Sequence, residues 1–252
     1  MATMESHRIG GYWTGLHRLA DFCISILFFP SGAPVLDSLH VPGYHAVAEK
    51  FFLYIVSRDI RCKGDILEIG SYRGSSSLLL ALGNSRSRNR GRVWLVEPEP
   101  KPDREGFMSH FRARGLDGDV TLVEKGSAEA RDGIDAEFRF IFIDGDHRYE
   151  AVKRDAALWM GRLAEGGVIA FHNIGAGGVR KAVDETVACS NDFPVQGTLA
   201  DTFYAAKGCF RDPGFVRRFR ALNRVRETAI GAAMRIGLYE RASSLNVRSS
   251  PP

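Results

Sequence analysis

Five short runs dense in β-branched and aromatic residues recur between Gly64 and Phe171: Ile66–Ile69, Val93–Val96, Val120–Val123, Phe140–Ile143 and Gly167–Phe171. Stretches with helical spacing separate them, at Ser75–Leu82, Arg104–Arg114, Tyr149–Leu163 and Val179–Ala188. The runs are apolar almost throughout, so both faces of each strand need cover. A strand–helix rhythm of this kind builds a parallel sheet with helices on either side. Gly83 and Gly115 stand where helix C-caps belong. Thr202–Ala206 reads as a last edge strand.

Two flanking segments differ from this middle. In residues 1–62, Tyr44, Val47, Ala48, Phe51, Phe52 and Ile55 recur at helical spacing, while Pro30, Pro34 and Pro42 break the segment into pieces. The apolar run Phe22–Pro30 is too short to span a bilayer, which takes about 20 residues. Asp21 precedes it and no cleavage pattern follows, so it reads as a buried or interfacial helix end. From Arg211 the composition turns basic. Phe215, Phe219, Leu222, Ala229, Ala233 and Ile236 make an apolar stripe, and Arg217, Arg218, Arg220, Arg224 and Arg226 take much of the remainder. That predicts an amphipathic helix packed on the core or on a second subunit. The alternative is contact of 211–241 with an anionic surface. Ser243–Pro252 reads as a disordered tail. The expected division is 1–62, 63–210 and 211–252.

With 252 residues, 44% of them hydrophobic and a net charge of +4, the chain fits one globular domain with appendages and no nucleic-acid partner. Cys23, Cys62, Cys189 and Cys209 show no metal-binding spacing, which fits reduced thiols and a cytoplasmic protein.

The chemistry gathers where strands end. Residues 65–76 read Asp-Ile-Leu-Glu-Ile-Gly-Ser-Tyr-Arg-Gly-Ser-Ser: a strand, a glycine-punctuated turn and a helix start. Such a turn admits close approach of a ligand, and the helix beyond points free N–H groups at it. The spacing Glu68-x-Gly70-x-x-x-Gly74 departs from the Gly-x-Gly-x-x-Gly of dinucleotide enzymes, which argues against an NAD(P)-dependent oxidoreductase. Glu68 beside the ligand disfavours a pyrophosphate and favours a cationic amino-acid moiety, as in S-adenosylmethionine. Glu97, ending the second strand, is placed to hold a ribose diol. Gly126 and Ser127 after the third strand leave room for adenine, with Ser127 a hydrogen-bonding partner. The fourth strand leads into Asp144-Gly145-Asp146-His147, where His147 is a candidate general base. The fifth ends in His172-Asn173. Neighbouring strand ends lie about 5 Å apart, so Asp144, His172 and Asn173 can share a divalent ion. Mg²⁺ prefers oxygen ligands, whereas His172 suits Mn²⁺, Fe²⁺ or Zn²⁺ better.

Taken in order, these pieces resemble the Rossmann-like, class I S-adenosylmethionine-dependent methyltransferases. The closest likeness is to small-molecule O-methyltransferases of the macrocin type, and more distantly the catechol type. It rests on Leu67–Ser76, on Val120–Val123 with Gly126-Ser127, on Ile143–His147 with Tyr149, and on Gly166–Asn173, and it covers about Gly64 to Gly208. The resemblance implies an α/β fold: a seven-stranded mostly parallel sheet with helices on both faces, a helical N-terminal cap and a C-terminal helix. It implies cofactor contacts from Glu68, Gly70, Ser71, Tyr72, Gly74, Ser76, Glu97, Gly126, Ser127 and Asp144. It further implies Asp144 and Asn173 as metal ligands (Mg²⁺ or Mn²⁺), and catalysis by His147 with Asp144. Macrocin-type enzymes favour acids in this pair, many relatives read His-Asp where this chain has His172-Asn173, and catechol-type ones read Asp-Asn. The expected partner is a small-molecule hydroxyl (sugar, catechol or polyol), with the N-terminal helices, especially Tyr44–Val56, closing over it. The resemblance leaves room for a homo-oligomer. The rival reading is a non-catalytic binding module that keeps the fold.

Overall fold

The computed structural model describes residues 21, 23–38, 40–210 and 213–235. Seven strands form one sheet: β1 (Asp65–Ile69), β2 (Val93–Val96), β3 (Val120–Val123), β4 (Phe138–Ile143), β5 (Leu163–Phe171), β6 (Val195–Leu199) and β7 (Thr202–Ala206). Their order is β3-β2-β1-β4-β5-β7-β6. The first five are parallel, and β7 runs antiparallel to both β5 and β6. The helices are α1 (Val47–Asp59), α2 (Ser75–Ser85), α3 (Arg104–Arg112), α4 (Ser127–Arg131), α5 (Tyr149–Trp159), α6 (Gly177–Val183) and α7 (Pro213–Arg235).

Side chains alternate across each strand, and the alternation sorts the interior into two cores. Ile66, Phe140, Phe142, Val168 and Ala170 face α1, α2 and α7. Leu67, Ile69, Ile141, Ile143, Ile169 and Phe171 face α5 and α6. Helices therefore cover both faces, as the strand runs require.

The terminal segments join the first core. In α1 every residue from Val47 to Ser57 is buried. Phe219 of α7 stacks on Phe29 with ring centroids 4.4 Å apart. Asp21 ties the two segments together. Its Oδ2 accepts from Ala48 N at 3.1 Å in the first turn of α1, and its Oδ1 accepts from Arg226 Nε at 2.6 Å. Arg226 is therefore buried and paired, not part of a solvated basic face. Arg217 and Arg218 are exposed, and Arg220 donates to Gln196 O at 2.8 Å. The side chains of Phe215, Ala233 and Ile236, and the tail Ser243–Pro252, lie outside the described residues.

Several boundaries differ from expectation. Thr202–Ala206 is not the edge: β7 lies between β5 and β6, and the edge is β6, whose Gln-Gly-Thr centre carries little apolar signal. Helix α5 stops at Trp159, where a 3₁₀ turn at Met160–Arg162 leads directly into β5. The helical stretch at 179–188 starts at Gly177 and finishes as a π turn over Asp184–Ala188. Gly115 has the left-handed φ of +64° expected just beyond a helix. Gly83 instead lies inside α2, where a Cβ would strike Ser57 Oγ and Tyr54 O of α1. It is a close-packing glycine.

Candidate active site

The chain leaves β1 toward β2 on one side, while β4 lies on the other. Ligands of such sheets bind in the crevice at this reversal, beyond the C-terminal strand ends. Three backbone bonds lock those ends together: Gly70 N to Val96 O at 2.9 Å, Asp144 N to Ile69 O at 2.8 Å and His172 N to Ile143 O at 3.1 Å. Beyond them lies a cavity of about 390 Å³. One wall is the glycine turn with the start of α2, the second is Asp144, Gly145, His147, His172 and Asn173, and the third is the loop Pro42–His45.

Gly70 has φ +86°, and a Cβ there would come within 2.6 Å of Gly145 Cα. Only glycine lets the turn close against the β4 end. Tyr72 and Asn173 also hold positive φ, at 45° and 55°, a costly conformation for residues with side chains. Both line the cavity.

Of the residues expected to contact a cofactor, Gly70, Ser71, Tyr72, Ser76 and Asp144 line this cavity. Glu68, Gly74, Glu97, Gly126 and Ser127 do not. Glu68 is fully buried and faces hydroxyls: Ser71 Oγ donates to its Oε2 at 2.7 Å, and Ser77 Oγ donates to the same oxygen. Burial pushes its carboxyl up to about 7, although bonds from Ser76, Ser77 and Ser71 pull the other way. Glu68 thus braces the turn from behind, a different position from the one expected. Glu97 Oε2 accepts from Ser71 N at 3.1 Å and Tyr72 N at 2.7 Å, so it holds the turn from the β2 side. Ser127 Oγ accepts from Trp159 Nε1 at 2.9 Å.

The second wall centres on Asp144. Its Oδ1 lies 3.0 Å from His172 Nδ1 and 3.8 Å from His147 Nε2. Its Oδ2 lies 3.0 Å from His45 Nε2. Burial alone would raise this carboxyl, but the three histidines hold it well below the usual carboxylate range. His172 also approaches Glu49, with Nε2 3.6 Å from Oε2. Burial would lower the His172 pKa; Asp144 and Glu49 outweigh it and raise it to about 10. His147 is the open member of the group, its side chain 50% exposed. Asn173 Nδ2 points to Asp201 Oδ2 at 3.4 Å, which leaves Oδ1 as its ligand atom.

Two members were not anticipated. His45 comes from the loop before α1 and stands within 4.8 Å of the Asp144 and His172 ligand atoms. Glu49, in the first turn of α1, accepts from Ala46 N at 2.7 Å, Asp201 N at 2.9 Å and Thr202 Oγ1 at 2.9 Å. A signal for Glu49 did exist. Phe51, Phe52, Leu53, Tyr54, Ile55 and Val56 are consecutive, so that helix is apolar all round and its polar residues must be buried and partnered.

Residues 67–174 match the family described as a methyltransferase domain. No curated protein sequence matches the chain. Among solved structures, the chain is similar to the O-methyltransferase from Bacillus cereus in complex with S-adenosylhomocysteine: TM-score 0.57, 20% identity, 79% of this chain and 100% of that one. It is also similar to the O-methyltransferase TomG from Streptomyces achromogenes in complex with S-adenosylmethionine: TM-score 0.53, 21% identity, 72% of this chain and 89% of that one. A third is a methyltransferase from Podospora anserina bound to S-adenosylhomocysteine: TM-score 0.54, 16% identity, 83% of this chain and 97% of that one. The strand order, the glycine turn at the reversal point and these likenesses give the chain a Rossmann-like methyltransferase fold, and its residues 67–174 match the methyltransferase-domain family.

Proposed function

We propose that the chain moves a methyl group from S-adenosylmethionine to a hydroxyl of a small molecule, and that His147 takes the hydroxyl proton. One observation carries the reading: a single cavity joins the glycine turn to His147, Asp144 and His172. The fit to the cofactor rests on the glycine turn, whose Ser71 and Tyr72 line the cavity, and on Glu97, tied to the turn's amides at the expected ribose end. When bound, the cofactor supplies a methyl on a sulfonium, whose departure as a neutral thioether needs no acid. The protein must then position the acceptor and remove its proton. His147 suits the second task, since its ring reaches both the cavity and solvent. Asp144 Oδ1 stands behind it, 3.8 Å from its Nε2. Asp144 and His172 also fit a divalent ion, which would lower the pKa of an acceptor hydroxyl bound to it. The acceptor class we favour is a sugar, catechol or polyol hydroxyl.

Calorimetry with S-adenosylhomocysteine tests the first claim, and absence of binding by the wild-type chain refutes it. His147→Ala is expected to abolish turnover and keep cofactor affinity. Full turnover in that variant removes His147 from the role.

A further inference from the structure

His45 has both ring nitrogens buried and neither has a hydrogen-bond partner. Its side chain is 6% exposed, and Nε2 stands 3.0 Å from Asp144 Oδ2 without the direction of a hydrogen bond. The ring thus presses Nε2 against a buried carboxylate, and a cation held between Nε2 and Oδ2 would serve both groups. The neighbours have suitable spacing. His172 Nδ1 shares a 3.0 Å hydrogen bond with Asp144 Oδ1, which an ion would replace, and the three residues offer ligand atoms within 4.8 Å of one another. Ligands held at about 2.0–2.2 Å from one ion stand about 2.8–3.6 Å apart when their bonds open at 90–109°. The outer contacts agree. Glu49 Oε2 lies 3.6 Å from His172 Nε2, the usual carboxylate behind a metal-bound histidine, leaving Nδ1 to face the ion.

We infer that His45 Nε2, Asp144 and His172 Nδ1 bind one divalent transition metal ion, with His45 in place of Asn173 as the third ligand. Two imidazoles and one carboxylate select Zn²⁺, Co²⁺ or Mn²⁺ over Mg²⁺. All three residues line the cavity, so the ion meets whatever enters it. The ligand set stands apart from the methyl-transfer reading; only the ion's use in activating an acceptor rests on that reading.

The test takes the full chain, stripped with chelator, and adds Zn²⁺, Co²⁺, Mn²⁺ or Mg²⁺ singly. One ion per chain is expected by elemental analysis for the first three, with a rise in unfolding temperature and a visible absorption band for Co²⁺. Mg²⁺ is expected to do neither at equal concentration. His45→Ala is expected to weaken Co²⁺ binding at least a hundredfold, whereas Asn173→Ala keeps it within threefold. Binding of S-adenosylhomocysteine by each variant certifies its fold and reports on methyl transfer separately. Wild type that binds none of the transition ions overturns the proposal. So does wild-type affinity in His45→Ala, or loss in Asn173→Ala alone.

Discussion

Replacing Glu68 by glutamine should make the protein more stable at neutral pH, although it removes the acid of the glycine turn. The Glu68 carboxyl is fully buried, and burial raises it from 4.5 to about 7. A folded chain that keeps its proton where the unfolded chain has released it loses stability as pH rises. The loss begins near 4.5, runs to about 7 and is level above. The distance between those values corresponds to roughly 3 kcal/mol at about 1.4 kcal/mol per pH unit. Glutamine carries no such titration, and its oxygen still accepts from one of the surrounding serines. Urea denaturation of both proteins between pH 5 and pH 8 measures the difference, in which all shared titrations cancel. The variant is expected to gain roughly 2–3 kcal/mol on wild type across that interval. Parallel profiles would refute the argument, since they would mean that Glu68 is ionised in the fold at pH 5.

Three further substitutions test the architecture. Gly83→Ala, which gains about 1 kcal/mol in an exposed helix, should here cost about 1–3 kcal/mol in a thermal melt because the Cβ meets Ser57 and Tyr54; a raised melting temperature would contradict the packing. Arg226→Ala strands the buried Asp21 carboxylate and should cost about 3–5 kcal/mol by urea denaturation, whereas a loss below about 1 kcal/mol would place that pair in solvent. Glu97→Ala removes the acceptor of two turn amides and should weaken S-adenosylmethionine at least tenfold, about 1.4 kcal/mol by calorimetry; unchanged affinity would free Glu97 of any part in the cofactor site.

The parallel part of the sheet was legible because its strands are buried on both faces and therefore apolar without interruption. The half-buried β6 was not, since Val195–Leu199 has few such residues to show. The strand-end residues Asp144 and His172 were legible for a related reason: a polar residue directly after an apolar run marks the point where the chain leaves the sheet. His45 gave no comparable sign. It follows no strand, and 99 residues separate it from the aspartate it meets (144 minus 45). Glu68 shows the opposite limit. Its position in the turn was readable, but the hydroxyls of Ser71 and Ser77 that claim its carboxylate depend on how α2 packs behind β1.

The placement of α1 also changes which part of the chain can admit an acceptor. The sequence suggests Tyr44–Val56 as a helix that closes over the site, but Tyr44 precedes α1 and is 84% exposed, while the helix itself is buried along its length. Lifting α1 would expose Phe51, Phe52, Leu53, Tyr54, Ile55 and Val56. At about 1.5–3 kcal/mol for each large apolar side chain, that exceeds about 9 kcal/mol, comparable to the whole stability of a domain. Asp21 on the first turn of α1 and Glu49 on the start of β7 would have to release as well. The helix is therefore fixed core, not door. What fronts the cavity is the short loop Pro42–His45, where the Tyr44 ring stacks on Tyr72 with centroids 6.2 Å apart. Tyr44 and Tyr72 thus line the cavity as an aromatic pair, and the helix behind them is held in place by its own packing.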